Sequence, residues 1–296
     1  MADDVVAVIL NWNCADDTIR CLRAVAAGLR RPDIIVVDNG SQDDSVERLK
    51  RLPDSFSLVT LDRNLGFAGG MNAGIREAEA RGAEWVWLLN ADAVPRPDAL
   101  SALLTYTDRF VVATSLQVTS ERPDTPAAEP YVVAAMVTND KVRPVRCTGC
   151  TAGAHEVDVV TGAALFLSVA WVIRVGLFDE RFFHYKEEFD LVRRIGTAGG
   201  RIGLVCASSV WHKRGGSLAG ASPRGRYYHH RNEVLYLRKH HAHPLRRMLG
   251  QPIHYRNLAE ALLGMASGRH GRRASLAVLV GYWDGIRGVH GPTERF

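Results

Sequence analysis

The chain has 296 residues, of which 47% are hydrophobic and 23% are charged. This composition is that of an ordinary globular protein and excludes an intrinsically disordered one. The net charge of +5 and the pI of about 9.1 suit an anionic partner, such as a nucleotide diphosphate, a phospholipid surface or a nucleic acid, although a need for solubility explains the same excess.

The N-terminus and the apolar segments bear on localisation. The first residues, MADDVVAVIL, are acidic and lead directly into a strand-like run, so we expect no signal peptide. No apolar run reaches the roughly 18 residues that a membrane span needs. The five cysteines, an odd number, favour reduced thiols. We therefore expect a cytoplasmic protein, and peripheral contact with the inner membrane face is compatible with that expectation.

The first 115 residues alternate strand-like and helix-like patterns. Continuous apolar runs are typical of strands buried on both faces, and a period near 3.6 residues is typical of helices. The predicted strands cover 5–10, 33–38, 57–61 and 84–89, and the predicted helices cover 16–27, 45–52 and 67–80. Ser41 is expected in the capping region of the second helix. The order βαβαβαβ predicts a mostly parallel sheet with right-handed crossovers.

The pattern changes after this region. Residues 119–157 are rich in Pro and Thr, with short strand-like pieces, and predict a hairpin or an edge extension. Two short strands are predicted over 201–205 and 209–211, and a mobile loop over 213–226. From Tyr227 onward the chain is predicted to be helical and basic.

Polar residues follow each of the four predicted strands. They are Asn11 after the first, Asp38 and Asn39 after the second, Asn64 after the third, and Asn90 and Asp92 after the fourth. Each alone is also typical of a polar turn or a helix cap. Ligands of parallel α/β sheets bind at the carboxyl ends of the strands, so the four polar ends together predict a ligand site.

Segment 178–190, FDERFFHYKEEFD, interleaves carboxylates with aromatic side chains. Carboxylates set against aromatic walls lose water, and their pKa values rise toward those useful for a general base. The alternative is a buried ion-pair cluster with the neighbouring Lys and Arg residues. The acidic residues of this segment are Asp179, Glu180, Glu187, Glu188 and Asp190.

Five motifs, VVDNGSQDDS, NLGFAGGMNAG, VWLLNADAVP, VGLFDERFFHYKEEFDL and VWHKRGGS, occur in this order over most of the chain. Together they resemble the family 2 inverting glycosyltransferases of GT-A fold, and within them the rhamnosyltransferase-type branch. The resemblance implies an α/β fold with a mostly parallel central sheet flanked by helices. It also implies a catalytic domain over 1–226, with a nucleotide-binding half over 1–115 and an acceptor half over 116–226, followed by a helical extension over 227–296.

The resemblance implies a set of nucleotide-binding residues. Asp38 would accept a hydrogen bond from the imide N–H of a uracil or thymine base. Gly69 and Gly70 would let the chain approach the ribose and diphosphate, because glycine has no Cβ. Arg231 would approach the diphosphate or pack under the loop before it. The full set is Asn11, Asp38, Asn39, Asn64, Gly69, Gly70, Asn72, Asn90 and Arg231.

The metal site and the general base also follow from the resemblance. Asn90-Ala91-Asp92 stands in place of a DxD motif, which makes Asp92 the expected direct ligand of Mn²⁺ or Mg²⁺. His212 would be the second ligand, and a core imidazole is its alternative. Glu187-Glu188 replaces the usual Glu-Asp, and Glu188 is expected to be the base. Glu187 or Asp190 could take that role instead.

The sequence therefore predicts a metal-dependent inverting glycosyltransferase. Its donor is expected to be a dTDP- or UDP-sugar, with dTDP-rhamnose first, and its acceptor a hydroxyl of a lipid-linked glycan or of a small-molecule aglycone. A sugar-nucleotide nucleotidyltransferase would need a basic glycine-rich loop after the first strand, where this chain has NWNCADD. A catalytically silent glycan- or nucleotide-binding homologue stays open, because both acidic motifs are altered. A nucleic-acid partner is not expected, because the basic residues match no known module.

Overall fold

The computed structural model describes most of the chain, in two compact units. The described residues are 4–53, 55–118, 130–131, 134–138, 141–145, 153–212, 222–266 and 268–296. The first unit comprises Met1–Leu65, Gly69–Phe178 and Glu188–Arg214. The second unit comprises Gly66–Ala68, Asp179–Glu187 and Gly215–Phe296. The division at residue 226 that the sequence suggests stays a prediction.

The N-terminal half of the first unit is a parallel sheet. Its strands are β1 (Val5–Asn11), β2 (Asp33–Asp38), β3 (Ser57–Thr60) and β4 (Trp85–Asn90). They pair in parallel in the order β4-β1-β2-β3. The connections contain α1 (Ala15–Ala26), α2 (Ser45–Lys50) and α3 (Gly66–Ala80). The predicted alternation of strands and helices is confirmed.

The remaining elements of the first unit make the central sheet mixed. They are β5 (Ala93–Pro95), α4 (Ala99–Leu104), β6 (Val112–Val118), β7 (Pro130–Tyr131), β8 (Ala134–Thr138), β9 (Lys141–Val145), β10 (Ala154–Glu156), β11 (Val159–Val160), β12 (Ala164–Ser168), α5 (Val169–Arg174), α6 (Glu187–Thr197) and β13 (Ile202–His212). β12 lies antiparallel between β4 and β6. β13 runs parallel to β6 and antiparallel to β5. β8 and β9 form the hairpin expected in the excursion.

Two predicted boundaries are wrong. The two short strands expected after residue 200 are one strand, β13, whose register against β6 shifts between Val205 and Ser209. A bulge interrupts the alternation of side chains without ending the strand, which is why the sequence suggests two. The loop predicted over 213–226 ends before residue 226, because the next helix begins at Pro223. Ser222 caps the next helix by accepting a hydrogen bond from the N–H of Gly225 at 3.0 Å.

The core of the first unit lies between the sheet and its helices. Ile9 of β1, Leu22 of α1 and Val36 of β2 are fully buried, and Trp87 of β4 and Phe166 of β12 are nearly so. Full burial of such side chains stabilises the folded state by about 1.5–3 kcal/mol each. This packing fixes the strand ends, where the polar residues lie.

The second unit is helical. Its helices are α7 (Pro223–His240), α8 (Pro244–Leu249), α9 (Pro252–Gly264) and α10 (Arg269–Arg287). They share a core that includes Val234, Met248, Ala261, Val278 and Tyr282. The predicted helical C-terminal region is confirmed. No helix in the described part of the chain is long and apolar enough to cross a membrane.

The cysteines depart in part from the expectation of reduced thiols. Cys14 and Cys21 are free. Cys206 on β13 is disulfide-bonded. An odd count excludes complete pairing within one chain, but it does not decide the state of any single thiol.

Candidate functional site

The ends of β1 and β2 are joined by a buried hydrogen-bond network. Asn11 and Asp38 are aligned in register, and the Asn11 side-chain amide donates to Oδ1 of Asp38 at 2.6 Å. Ser41 donates its hydroxyl to the same oxygen at 2.6 Å and its backbone N–H to Oδ2 at 3.0 Å. The Asp38 carboxylate is 1% exposed, so its position at the end of β2 is fixed by these donors.

Ser41 has a different structural role from the predicted one of capping α2. It does not cap α2, whose preceding residue is Asp44. It closes a turn in which Gly40 has a φ of 69°, and a methyl group added at Gly40 would lie 2.4 Å from the carbonyl carbon of Arg63. An Asp-Asn-Gly-Ser run is typical of a turn that the Asp side chain closes. That signal identifies Ser41 as a partner of Asp38.

The end of β2 is also tied to the loop before α3. Oδ1 of Asn39 accepts a hydrogen bond from the N–H of Leu65 at 2.9 Å. The amide of Asn39 donates to Oδ1 of Asn64 at 3.2 Å. The structure therefore brings Asn39 and Asn64 together with Asp38 at the end of the parallel strands.

The glycines of α3 let that helix lie close to the sheet. A methyl group added at Gly70 would lie 2.4 Å from Cδ1 of Leu10 and 3.2 Å from the side-chain amide of Asn39. One added at Gly69 would lie 2.6 Å from Cβ of Leu65. Gly69 and Gly70 therefore have a packing role. Their predicted approach to the ribose and diphosphate stays a prediction.

The side-chain amide of Asn72 makes two hydrogen bonds with the backbone of Phe178. Its Oδ1 accepts from the N–H of Phe178 at 3.0 Å, and its Nδ2 donates to the carbonyl of Phe178 at 2.9 Å. Asn72 is 1% exposed. This pairing holds the start of segment 178–190 against α3.

Asn90, Asp92 and His212 come together at the end of β4. The pairing of β5 with β13 sets Ala93 opposite His212. Nε2 of His212 lies 3.2 Å from Oδ1 of Asp92 and 3.5 Å from the Asn90 amide nitrogen. Burial raises the pKa of the Cys14 thiol and the charge of Asp92 raises it further.

These three side chains fit a divalent cation. Asp92 and His212 supply a carboxylate oxygen and an imidazole nitrogen, which suit Mn²⁺, and Mg²⁺ through the carboxylate. Oδ1 of Asn90 is buried and has no hydrogen-bond partner among the described residues, so a further donor or cation could satisfy it. The described residues contain no group of three or more acidic, His or Cys side chains that would hold a metal without outside ligands. Diphosphate oxygens would have to complete the coordination.

Glu188 lies at the same end of the sheet. The N–H of Asn90 donates to the carbonyl of Ala163 at 3.1 Å. A methyl group added at the preceding residue, Gly162, would lie 3.6 Å from Cβ of Glu188 and 3.8 Å from its carboxyl carbon. Glu188 is therefore next to the segment that is bonded to the end of β4.

Asp190 is held in an ion pair. Its Oδ2 accepts from Nε of Arg194 at 2.8 Å, and Arg194 also donates to the carbonyl of Leu177 at 2.6 Å. Asp190 is fully buried. These contacts give it a structural role, as in the ion-pair alternative for this segment.

Two predicted site residues belong to the second unit. Glu187 is the first residue of α6, whose other residues belong to the first unit, and it is 3% exposed. Arg231 on α7 is fully buried, and its guanidinium donates to the carbonyl of Phe182 at 2.9 Å and to Oδ1 of Asn232 at 2.8 Å. The proximity of Arg231 to a diphosphate stays a prediction.

The segment before Glu187 has three residues with positive φ, and the side-chain amide of Asn232 contacts its backbone carbonyls. Phe183, Tyr185 and Lys186 have φ values of 65°, 70° and 73°, a conformation that costs free energy in residues other than glycine. The amide nitrogen of Asn232 lies 2.7 Å from the carbonyl oxygens of Phe182 and His184 and 2.8 Å from that of Tyr185. The sequence identifies Asn232 only as part of YYHHRNEVLY. Its partners lie almost 50 residues earlier in the chain, and no local pattern reveals them.

The chain matches the family described as "Glycosyl transferase family 2" over residues 6–158. It is 28% identical over 220 residues to galactofuranosyltransferase GlfT1 of Mycobacterium tuberculosis, covering 73% of this chain and 72% of that one. It is 26% identical over 308 residues to N-acetylglucosaminyl-diphospho-decaprenol L-rhamnosyltransferase of the same organism, covering 95% and 99%. It is 24% identical over 302 residues to dTDP-rhamnosyl transferase RfbF of Shigella flexneri, covering 98% of both.

Solved structures resemble this one at low sequence identity. S. aureus TarS 1-349 in complex with UDP-GlcNAc has a TM-score of 0.60 and 12% identity, covering 96% of this chain and 81% of that one. GalNAc-T7 with UDP, GalNAc and Mn²⁺ has a TM-score of 0.61 and 16% identity, covering 79% and 49%. At these identities the likeness concerns the fold, and it confirms the predicted GT-A architecture.

Proposed function

The chain belongs to glycosyl transferase family 2 and is a glycosyltransferase, and we propose that it transfers a sugar from a nucleoside-diphosphate sugar to a hydroxyl with inversion. The proposed donor is a dTDP- or UDP-sugar. Two relatives are named as rhamnosyltransferases, which supports dTDP-rhamnose as the first donor to test. A third is named as a galactofuranosyltransferase, which makes galactofuranose the second sugar to test.

The observation that carries the proposal is the approach of His212 to Asp92 at 3.2 Å. Asp92 lies between β4 and β5, and His212 is the last residue of β13, in the same sheet as the strands β1 and β2 whose ends carry the Asn11–Asp38 network. In this proposal Asp92 and His212 hold Mn²⁺ or Mg²⁺ together with the diphosphate of the donor. When bound, the cation supplies electrostatic stabilisation of the leaving diphosphate. Asn90 orients the same group through its side-chain amide.

Asp38 is proposed to bind the base. Among the described residues its Oδ2 accepts one hydrogen bond, from Ser41, and a carboxylate oxygen can accept two. The remaining lone pair suits the imide N–H of uracil or thymine. Asn11 and Ser41 keep the carboxylate fixed, so little freedom is lost when the nucleotide binds.

Glu188 is proposed to be the general base. Its carboxylate takes the proton of the acceptor hydroxyl as that oxygen attacks the anomeric carbon. The new bond joins the acceptor oxygen to the anomeric carbon, and the bond from that carbon to the diphosphate oxygen breaks. A single displacement of this kind inverts the anomeric centre. Glu187 is the alternative base.

The proposed acceptor is a lipid-linked glycan. One relative carries N-acetylglucosaminyl-diphospho-decaprenol in its name, and the alignment with it covers 95% of this chain. A small-molecule aglycone is the alternative acceptor. A lipid-linked acceptor would place the enzyme in the cytoplasm, at the inner face of the membrane.

The test is an assay of nucleoside-diphosphate release with a panel of dTDP- and UDP-sugars and both acceptor classes. Transfer with inverted configuration, seen in the anomeric proton signals of the product, would support the proposal. A catalytically silent homologue would bind a donor without releasing the diphosphate. A nucleotidyltransferase would release pyrophosphate from a nucleoside triphosphate and a sugar phosphate. Retention of configuration would contradict the proposed displacement.

A further inference from the structure

The outward faces of α8, α9 and α10 are apolar. A helix on the surface of a globular domain usually turns its polar side chains to solvent. Here Leu262 and Leu263 of α9 are 63% and 77% exposed, and Trp283 of α10 is 59% exposed. The other exposed large apolar residues of these helices are Leu245, Leu249, Ile253, Tyr255 and Leu276.

Arginines share these outward faces. Along α10 the exposed positions recur every three or four residues up to Leu276, which puts them on one side of the helix. They are Arg269, Arg272, Arg273, Leu276, Trp283 and Arg287. This side of α10 therefore combines arginines with a leucine and a tryptophan and carries no acidic residue.

The apolar and basic residues lie together where α9 and α10 meet. A methyl group added at Gly264 would lie 2.3 Å from Oγ of Ser275, so the end of α9 contacts the second turn of α10. Leu262 and Leu263 directly precede this contact, and Leu276 directly follows it. Tyr255 and Trp283 lie toward the other end of the pair, where His254 is bonded to the Tyr282 hydroxyl at 2.9 Å.

The positive charge of the chain is concentrated here. Residues 241–291 contain seven arginines and two acidic residues, so the net charge of this segment, +5, equals that of the whole chain. Glu260 faces Arg256 at 3.6 Å. Asp284 is buried and accepts from Arg295 at 2.7 Å.

We propose that this face, the outward side of α8–α10, docks on an anionic phospholipid surface. Exposed leucines and aromatic rings insert at the boundary between headgroups and acyl chains, and the arginines bind the headgroup phosphates. A second copy of the chain suits the face less well. A twofold contact would bring the arginines of one copy against those of the other, and the exposed acidic residue of these helices, Glu260, already faces Arg256. The inference does not depend on the donor chemistry, because docking needs no turnover.

The test is sedimentation of the full chain with vesicles. We expect binding to vesicles that contain phosphatidylglycerol, little binding to pure phosphatidylcholine, and release at high salt, because the attraction between arginines and lipid phosphates is screened. Leu262→Ser/Leu263→Ser and Arg269→Gln/Arg272→Gln/Arg273→Gln should each reduce the affinity about tenfold or more.

A matched control exists in the first unit. Leu29 is 73% exposed and is followed by exposed Arg30 and Arg31. Leu29→Ser/Arg30→Gln/Arg31→Gln removes one exposed leucine and two positive charges away from the proposed face and should leave vesicle binding unchanged. Thermal unfolding checks that each variant is folded.

Three outcomes would overturn the inference. One is no binding to anionic vesicles by the folded wild type. A second is unchanged binding in both α9 and α10 variants, or an equal loss in the control. The third is a dimer in light scattering that Leu262→Ser/Leu263→Ser converts to a monomer, which would show that a second copy covers this face.

Discussion

Nε2 of His212 lies 3.2 Å from Oδ1 of Asp92, although the two residues are far apart in the chain. The antiparallel pairing of β5 with the end of β13 brings them together. Neither residue alone distinguishes a metal site from a polar turn or a core imidazole. Their approach at the end of β4 supports a shared cation, to which the diphosphate of the donor would supply the remaining oxygen ligands.

His212→Asn should weaken nucleotide binding in the presence of Mn²⁺. The imidazole is lost as a ligand, while the base pocket at Asp38 is untouched. Calorimetric titration of UDP and dTDP, with and without Mn²⁺, measures the effect. We expect the gain in affinity that Mn²⁺ gives the wild type to disappear. His155→Asn is the control, because His155 on β10 pairs with Leu204, well before the end of β13, and should keep the full gain. A His212→Asn protein with an undiminished gain would contradict the metal role.

Asp38→Ala should reduce nucleotide affinity by about 1–3 kcal/mol, the cost of a charged hydrogen bond left unmade. Calorimetry without metal measures the contribution of Asp38 to nucleotide affinity separately from that of the cation. Ser41→Ala should have a smaller effect, because Asn11 still holds the carboxylate at 2.6 Å. Equal affinity of Asp38→Ala and wild type for UDP and dTDP would exclude Asp38 from the base pocket.

Asn72→Ala should destabilise the folded protein by about 1–3 kcal/mol, because the N–H and carbonyl of Phe178 lose their side-chain partner. Urea unfolding followed by tryptophan fluorescence measures the change. Asn257→Ala is the control, since its amide donates one described hydrogen bond, at 3.4 Å, to Tyr282. A loss no larger than that of the control would show that the Phe178 pairing contributes little.

The free energy of unfolding should fall as the pH drops from about 6.5 toward 4. Burial lowers the pKa of His184 to about 4, whereas an unfolded histidine titrates near 6.5. Between these values the unfolded chain binds a proton that the folded chain does not, so acid favours unfolding. The contribution is up to about 3 kcal/mol. His184→Gln should flatten the pH profile of urea unfolding in this range, and an unchanged slope would contradict the assignment.

The sequence predicts the parallel half of the fold well, because its strands are continuous apolar runs such as DIIVVD in β2. It also identifies the strand ends, since Asn11 directly follows its run, Asp38 ends its run, and Asp92 comes three residues after Leu89. It assigns Ser41 wrongly, because a serine before acidic residues is typical of both a helix cap and a turn. The pairing of Asn72 with Phe178 spans 106 residues and depends on how α3 packs, which no local pattern encodes.

The central claim is that Glu188 removes the acceptor proton in an inverting transfer. Its most direct test is the kcat of Glu188→Gln, measured with donor affinity in the same preparation. Loss of a general base costs about 10² to 10⁴-fold in rate, so we expect kcat to fall by that factor while donor binding stays near that of the wild type. The matched variant, Glu187→Gln, should lose less. Near-normal turnover in Glu188→Gln, or inactivity of Glu187→Gln alone, would contradict the claim.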